Sequence, residues 1–394
     1  MNADTLDAQE LWSRPGLRIA LVTETYPPEI NGVAMTLRCM VEGLLERGHR
    51  VQLIRLRQAP DDAPQAAPTF DEVLAKGWKL PRYDGLHFGL PARTRLQKLW
   101  QRRRPDLVHV ATEGPLGWSA VSAARKLRIP VTSDFHTNFD HYSRHYGVGW
   151  LRKPVTAYLC SFHNRTARTF VPTSAMAADL SGQGYRGVDV VARGVDTSLY
   201  DPARRDPVLR AHWQAAEGAP IVLYVGRLAA EKNLPLVVRA FRAIQVQRPR
   251  ARLVLVGDGP MRAGLESDNP DCVFAGMRTG EDLARHYASA DLFLFPSVTE
   301  TFGNVTLEAM ASGLCVVAYD YAAAADVIRS GENGMLVPFD DGEGFIRSAL
   351  EAASAPDRCA AMGALARRTA MGLDWDAIND RFAAALLEVW KEAQ

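Results

Sequence analysis

Short apolar runs bounded by glycine, proline and acidic residues recur along this chain, and between them the apolar positions shift to helical spacing. RIALVTET (18–25), VQLIRLR (51–57), DLVHVATEG (106–114) and PVTSDF (130–135) read as buried strands of a first half, which TFVPTSAMAADL (169–180) and the stretch after it close. APIVLYVG (219–226), RLVLVGDGP (252–260), DCVFAGM (271–277), ADLFLFPS (290–297) and CVVAYD (315–320) repeat the pattern in a second. Strand, helix, strand at this spacing predicts parallel sheets, so the fold class expected is α/β with two Rossmann-like domains facing a cleft. From Asp341 onward the pattern is helical, ending in WDAINDRFAAALLEVWKEAQ (375–394). Gly, Asp, Pro and Arg dominate from Arg193 to Pro207, which reads as an interdomain linker and hinge. The expected organisation is an extension over 1–17, a first domain over 18–195, a second over 208–372, and a final helix over 373–394.

The stretch TETFGNVTLEAMASG (299–313) carries the most chemistry. It joins an apolar strand to a helix start, where unpaired N–H groups and the macrodipole favour an anion. The amides of Gly303, Asn304 and Val305 therefore form a candidate phosphate cradle. Glu300 lies in the turn and Glu308 about one helical turn on, both suited to accepting hydrogen bonds from hydroxyls. That combination fits a ligand with sugar rings on either side of a diphosphate. An acidic pair of this kind equally fits dipole complementarity and a solvated face. Arg227 and Lys232, five residues apart after the first strand of the second half, supply the cations a leaving diphosphate needs, or are surface charges. In the first half, Gly32 stands between strand and helix, where a missing Cβ permits close approach or simply makes a turn. His136 ends a strand on the side where open α/β sheets bind ligands, and Asn138, Asp140 and His141 crowd the same loop. A loop histidine of this kind is otherwise a hydrogen-bonded surface residue.

Composition narrows the function classes. With 47% hydrophobic residues in 394, the chain is globular, and it holds no apolar run long enough to span a membrane. Its start, MNADTLDAQELWSRPG, is polar and acidic, unlike a secretory signal. Five cysteines, odd in number and far apart, suggest reduced thiols and a cytoplasmic location. No cluster with zinc-ligand spacing occurs, and Asp374 with Asp376 suits the start of a helix better than a metal. Net charge is +1, yet residues 1–193 hold 26 Lys/Arg against 18 Asp/Glu, so the first half is basic and the remainder acidic. Overall neutrality argues against nucleic acid; the basic half suggests another anionic partner. Arg93, Arg95, Lys98, Arg102, Arg103 and Arg104 interleave with Leu96, Leu99 and Trp100 at helical spacing. Two readings stand: an ordinary surface helix using its apolar residues as core, or a basic amphipathic helix on an anionic membrane.

GRLAAEKN, VGDGP and ETFGNVTLEAMASG, in that order and spacing, resemble the donor site of the retaining glycosyltransferases of family 4, which have the GT-B fold. YPPEINGVAMTL, ATEGPLG, FHTNFDHY and RGVDTSLYDP look most like the GDP-mannose-dependent α-mannosyltransferases acting on lipid acceptors. Sulfoquinovosyl- and glucosyl-diacylglycerol synthases are similar in the same places, which leaves a UDP-sugar as the alternative donor. The resemblance implies that Arg227 and Lys232 bind the donor diphosphate with the amides of Gly303 to Val305, Glu308 the ribose, and Glu300 the transferred sugar. It further implies that Gly32 approaches the phosphates and that His136 lies at the reacting centre. Asn304 stands where many members carry an apolar residue; the backbone amide does the binding there. The implied reaction keeps the anomeric configuration and needs no metal or other cofactor. The implied partners are a nucleotide diphosphate sugar and a lipid or glycolipid acceptor, with Asn138, Asp140, Arg93, Arg102 and Arg103 on the acceptor or membrane side. The enzyme would then work in the cytoplasm, peripheral on the inner face of the plasma membrane. Gly276 to Arg278 are the candidates for reading the base. The final helix is expected to cross back onto the first domain.

Overall fold

The computed structural model describes residues 16–29, 31–79, 87–136, 152–216 and 218–394. The chain divides into two compact units, residues 1–192 with 375–394, and residues 193–374.

The first unit is built on β1 (Arg18–Val22), β2 (Arg50–Leu56), β3 (Ala66–Ala67), β4 (Phe70–Ala75), β5 (Gly77–Lys79), β6 (His87–Gly89), β7 (Leu107–Val110), β8 (Val131–Asp134), β9 (Arg168–Val171) and β10 (Val188–Val190). Eight of these form one sheet in the order β10-β9-β8-β7-β1-β2-β4-β3, parallel except where β3 meets β4; β5 and β6 pair separately. Strand order reverses at β1, between β2 and β7. Such a switch point opens a crevice at the carboxyl ends of the strands. β1 and β7 are buried almost throughout because helices cover both faces, which explains their unbroken apolar sequence.

The helix Arg93–Arg102 decides between its two readings. Leu96 and Trp100 are buried in the core with Val108, Val110 and Ala124, and Leu99 packs half-buried against them. The Trp100 Nε1–H donates to Gln52 Oε1 at 3.1 Å. Its apolar stripe is therefore used inside the unit, and insertion of that stripe into a membrane is set aside. Arg93, Arg95, Lys98, Arg102, Arg103 and Arg104 stay exposed.

The final helix, Trp375–Glu392, belongs to this first unit and lies along the helix Gly32–Glu46. A Cβ at Gly43 would fall 2.0 Å from the Asn379 side chain, so the close approach depends on glycine. Arg47 Nε meets Asp380 at 2.8 Å, and Arg168 meets Glu388 at 2.8 Å and Glu392 at 2.7 Å.

The second unit is a six-stranded parallel sheet of β11 (Ile221–Val225), β12 (Arg252–Val256), β13 (Val273–Gly276), β14 (Leu292–Phe295), β15 (Cys315–Tyr319) and β16 (Met335–Val337). Its order is β13-β12-β11-β14-β15-β16, with the switch point between β11 and β14. The stretch read as a linker is tied down within this unit. Val195 N donates to Leu373 O at 3.0 Å, Thr197 Oγ1 to Asp374 Oδ2 at 2.6 Å, and Arg367 to the carbonyls of Thr197 and Tyr200. Asp374 thus fastens the segment from Val195 to Thr197. Among the described residues no helix is long and apolar enough to cross a membrane, and all five cysteines are free thiols.

Candidate active site

In the second unit the loops after β11, β12 and β14 meet at the switch point, and glycine lets them meet. Gly226 N donates to Val256 O at 3.0 Å, Leu228 N to Asp258 O at 2.9 Å, and Gly257 N to Gly276 O at 2.9 Å. Gly257 holds φ at +133°, and a Cβ there would lie 2.0 Å from the Gly226 carbonyl oxygen. Backbone therefore packs on backbone, which fixes where Arg227 leaves the chain. The buried Tyr224 adds a hydroxyl that donates to Arg227 O at 3.1 Å.

The next turn brings Lys232 against Glu300, with Nζ and Oε1 2.5 Å apart. Both side chains are largely buried, 16% and 15% exposed, and the Lys232 ammonium also reaches Thr299 O at 3.4 Å. Val298 N donates to Glu231 O at 3.2 Å, so the two loops are joined by backbone as well as by charge. Arg227 behaves differently: its side chain is 61% exposed and lies 3.8 Å from Glu231. One cation is held in a pair and the other reaches out.

Gly303 begins the helix Asn304–Ala311 with φ +92°, a left-handed conformation, and no side chain caps this end. The orphan amides that the sequence predicted at Gly303, Asn304 and Val305 are thus at a helix start beside Glu300. The Asn304 side-chain oxygen is buried with no hydrogen-bond partner among the described residues, an acceptor that a ligand hydroxyl can satisfy. One turn on, Glu308 receives the Tyr287 hydroxyl at 2.8 Å and is also hydrogen-bonded to Tyr200. Burial pushes its carboxyl up from 4.5 to about 7, and the two phenol donors offset that only in part. No Lys or Arg lies within salt-bridge distance of it among the described residues.

Two neighbours escaped the sequence reading. Arg193 is buried with its guanidinium 5.8 Å from the ring centroid of Phe302, the residue before Gly303. Tyr200 joins Tyr287 edge-to-face at 5.6 Å around Glu308. Both lie in RGVDTSLYDP, which the sequence offers as linker chemistry and as part of the family resemblance, with neither residue singled out. Of the candidate base-reading residues, Gly276 ends β13 at φ +73°, Met277 is exposed, and Arg278 Nη1 binds Asp282 at 3.0 Å.

The first unit carries its own polar cluster at the switch point. Gly32 starts its helix exposed, with Asn31 capping: the Asn31 side chain accepts from Ala34 N at 2.8 Å. Glu24, just beyond β1, is buried and accepts from Leu116 N at 2.8 Å and from the amides of Gly89 and Gly117. A Cβ at Gly114 would fall 2.1 Å from its carboxylate, so the helix Pro115–Lys126 is capped from a distant strand. His136 follows β8 and pairs through Nε2 with Asp134 Oδ2 at 3.2 Å. Asn138 and Asp140 lie outside the described residues. Arg93 and Arg102 present their charge at the surface, and Arg103 reaches Asp71 at 3.3 Å.

Residues 219–354 match the family described as glycosyl transferases group 1, and residues 30–199 match glycosyltransferase family 4. A GDP-mannose-dependent alpha-mannosyltransferase of Mycobacterium tuberculosis is 34% identical over 371 residues, covering 93% of this chain and 95% of that protein. An alpha-monoglucosyldiacylglycerol synthase of Streptococcus pneumoniae is 26% identical, covering 77% of this chain and 71% of that protein. Among solved structures, a sucrose-phosphate synthase from Thermosynechococcus elongatus superposes with a TM-score of 0.76 at 20% identity, over 95% of this chain and all of that one.

Proposed function

Because the chain belongs to glycosyltransferase family 4, with the GT-B fold and a nucleotide sugar as donor, we propose that it is a retaining mannosyltransferase that moves mannose from GDP-mannose to the hydroxyl of a lipid or lipid-linked acceptor. The observation that carries the donor side is the Lys232–Glu300 pair, 2.5 Å apart, beside the uncapped helix start at Gly303. A diphosphate set on those amides draws on Lys232 and Arg227 for charge, and Glu300 stays beside it to accept from a sugar hydroxyl. In the same reading Glu308, a turn deeper, accepts from the ribose hydroxyls. In this reading the second unit holds the donor and the first takes the acceptor.

The step balances without a nucleophilic side chain. The bond from C1 to the diphosphate oxygen breaks, and the acceptor oxygen bonds to C1 on the same face. The acceptor proton passes to the departing diphosphate, leaving a glycosylated acceptor and a nucleoside diphosphate. Positive charge builds on the sugar as the diphosphate leaves, so the fixed dipoles and cations around the diphosphate do most of the work.

Mannose and GDP rest on the likeness to the mycobacterial mannosyltransferase. A second reading, a glucosyl transfer from a UDP-sugar, rests on the likeness to the glucosyldiacylglycerol synthase. The lipid acceptor is supported by that same relative and by the exposed basic face of the helix Arg93–Arg102, which suits an anionic membrane by charge alone. Thermal shift with GDP, UDP and ADP at equal concentration separates the donors. A ligand at about a hundred times its dissociation constant stabilises by roughly 2.7 kcal/mol. Stabilisation by GDP, followed by transfer from GDP-mannose to a lipid extract, is expected; a shift with UDP alone overturns the mannose assignment.

A further inference from the structure

We propose that the ribbon of β5 and β6 is a membrane anchor whose apolar outer face enters the headgroup region of an anionic bilayer, at the rim of the first unit's crevice. The proposal deepens the lipid-acceptor reading and rests on it for the purpose such an anchor serves.

Glycine gives the ribbon two unlike faces. Gly77 pairs with Gly89 and Trp78 with Phe88, and successive residues of a strand point to opposite sides. The glycine side lies on the unit itself. A Cβ at Gly77 would be 3.1 Å from the Leu56 side chain, and one at Gly89 would be 2.5 Å from Leu116 and 3.0 Å from the Glu24 carboxylate. Leu56 ends β2 and Glu24 follows β1, so the ribbon rests at the carboxyl ends of the strands, where the crevice opens. The other side carries Trp78, 68% exposed, and Phe88, 40% exposed. Leu90, two residues beyond Phe88, is 42% exposed, and its N–H donates to Lys76 O at 2.9 Å, which extends the pairing by one step. Three large apolar side chains thus share one outward face, with the exposed Lys76 at its edge.

Single exposed apolar residues are ordinary, but a contiguous aromatic face beside charge marks a contact surface. The sign of the charge decides what it meets. Residues 76–104 hold nine Lys/Arg against one acidic residue, Asp84, and the other residues up to 193 are balanced, so this short stretch carries the whole basic excess of the first half. Leu90 leads through Pro91 and Ala92 into the helix whose exposed first turn bears Arg93 and Arg95. Aromatic rings next to such a cationic surface match a bilayer with anionic headgroups: the rings settle at headgroup level and the cations face the phosphates. The helix spends its own apolar stripe in the core, so the ribbon supplies the insertion and the helix the charge.

Co-sedimentation of the full chain with vesicles of phosphatidylcholine alone, or of phosphatidylcholine with phosphatidylglycerol, at low and high salt, separates the two contributions. Wild type is expected to bind the anionic vesicles and to keep a salt-resistant fraction. The triple variant Trp78→Ala, Phe88→Ala, Leu90→Ala changes only exposed side chains and should keep its Tm within about 2 °C. It should lose the salt-resistant fraction and bind about 10- to 100-fold more weakly. Complete release of wild type by high salt, or equal binding by wild type and the triple variant, overturns the insertion. A wild type that ignores vesicles and self-associates, beside a triple variant that is monomeric by light scattering, assigns the face to a second copy and overturns it as well. No donor is present, so the catalytic reading is tested apart: vesicle binding as expected, with transfer only to water-soluble acceptors, supports the anchor and removes the lipid acceptor.

Discussion

Replacing Glu308 with glutamine should make the protein more stable and the enzyme worse. The carboxyl is enclosed by Tyr287 and Tyr200 and pushed up to about 7, against 4.5 for an ordinary glutamate. A folded pKa above the unfolded one means that stability is greatest when the group is protonated, below the unfolded value, and is lost as pH rises through the folded value. A difference of this size corresponds to about 3 kcal/mol across the window from pH 4.5 to 7. Glutamine carries no such pH dependence and can still accept the Tyr287 hydroxyl. The Glu308→Gln protein should therefore match wild type near pH 5 and exceed it near pH 8, by up to about 3 kcal/mol. For a unit of this size that is about 2–4 °C in Tm per kcal/mol.

Donor affinity should run the opposite way. With two phenols already donating to it, only the carboxylate keeps lone pairs for the two ribose hydroxyls of the proposed donor, so wild-type affinity should fall as pH drops below 7, approaching about tenfold per pH unit. Glu308→Gln should bind weakly at every pH. The assay is thermal unfolding of both proteins from pH 5 to 8.5, with titration calorimetry of a nucleotide sugar, whose diphosphate diester does not titrate in that range. A stability gap that ignores pH, or wild-type donor affinity in the variant at pH 8, would refute the reasoning.

Lys232→Ala should abolish detectable transfer and also cost stability, about 1–3 kcal/mol, because Glu300 is left largely buried without its cation; the double variant with Glu300→Ala should recover the stability but not the activity, read by urea unfolding and product formation. Gly257→Ala should fail to give a folded second unit or lose more than about 3 kcal/mol, since its Cβ would collide with the Gly226 carbonyl at 2.0 Å; normal circular dichroism and Tm would contradict the backbone-contact argument. Reversing Arg93 and Arg102 to glutamate should leave Tm within about 1 °C, as both are exposed, while reducing co-sedimentation with anionic vesicles; unchanged sedimentation would remove the charge-based membrane reading.

β1, β2, β7 and β8 of the first sheet and β11 to β15 of the second were legible because continuous Val, Ile and Leu runs have few uses other than buried strands, whereas the short β3, β9, β10 and β16 and the mixed polar β4 were not read. The helix start at Gly303 was legible for a local reason: a strand, a turn glycine and an apolar helical stripe stand next to one another. What escaped depended on distance in sequence. Nothing near Glu24 announces that it accepts from Leu116, 92 residues on, and nothing near Phe302 announces that Arg193 lies over its ring. The segment from Arg193 to Pro207 stands where the second unit begins, but its own residues do not announce what holds it. Its Gly, Asp, Pro and Arg resemble a mobile connection, but the hydrogen bonds that hold it come from Arg367 and Asp374. For Arg93–Arg102 the spacing was right and only the destination of Leu96 and Trp100 was open, which needed the neighbouring β7 to settle.

The carboxylate of Glu24 gives the two halves opposite characters. Each unit is a parallel sheet with helix starts at a switch point, and by backbone alone each could attract an anion. In the first, Glu24 already sits on the amides of Leu116 and Gly117 and Asn31 on that of Ala34. In the second, the helix start at Gly303 is left bare. The chain fills the first set of amides with its own side chains and leaves the second for the diphosphate of the proposed donor. Two copies of one architecture thereby differ in whether the helix start at the switch point is already held by the chain's own side chains.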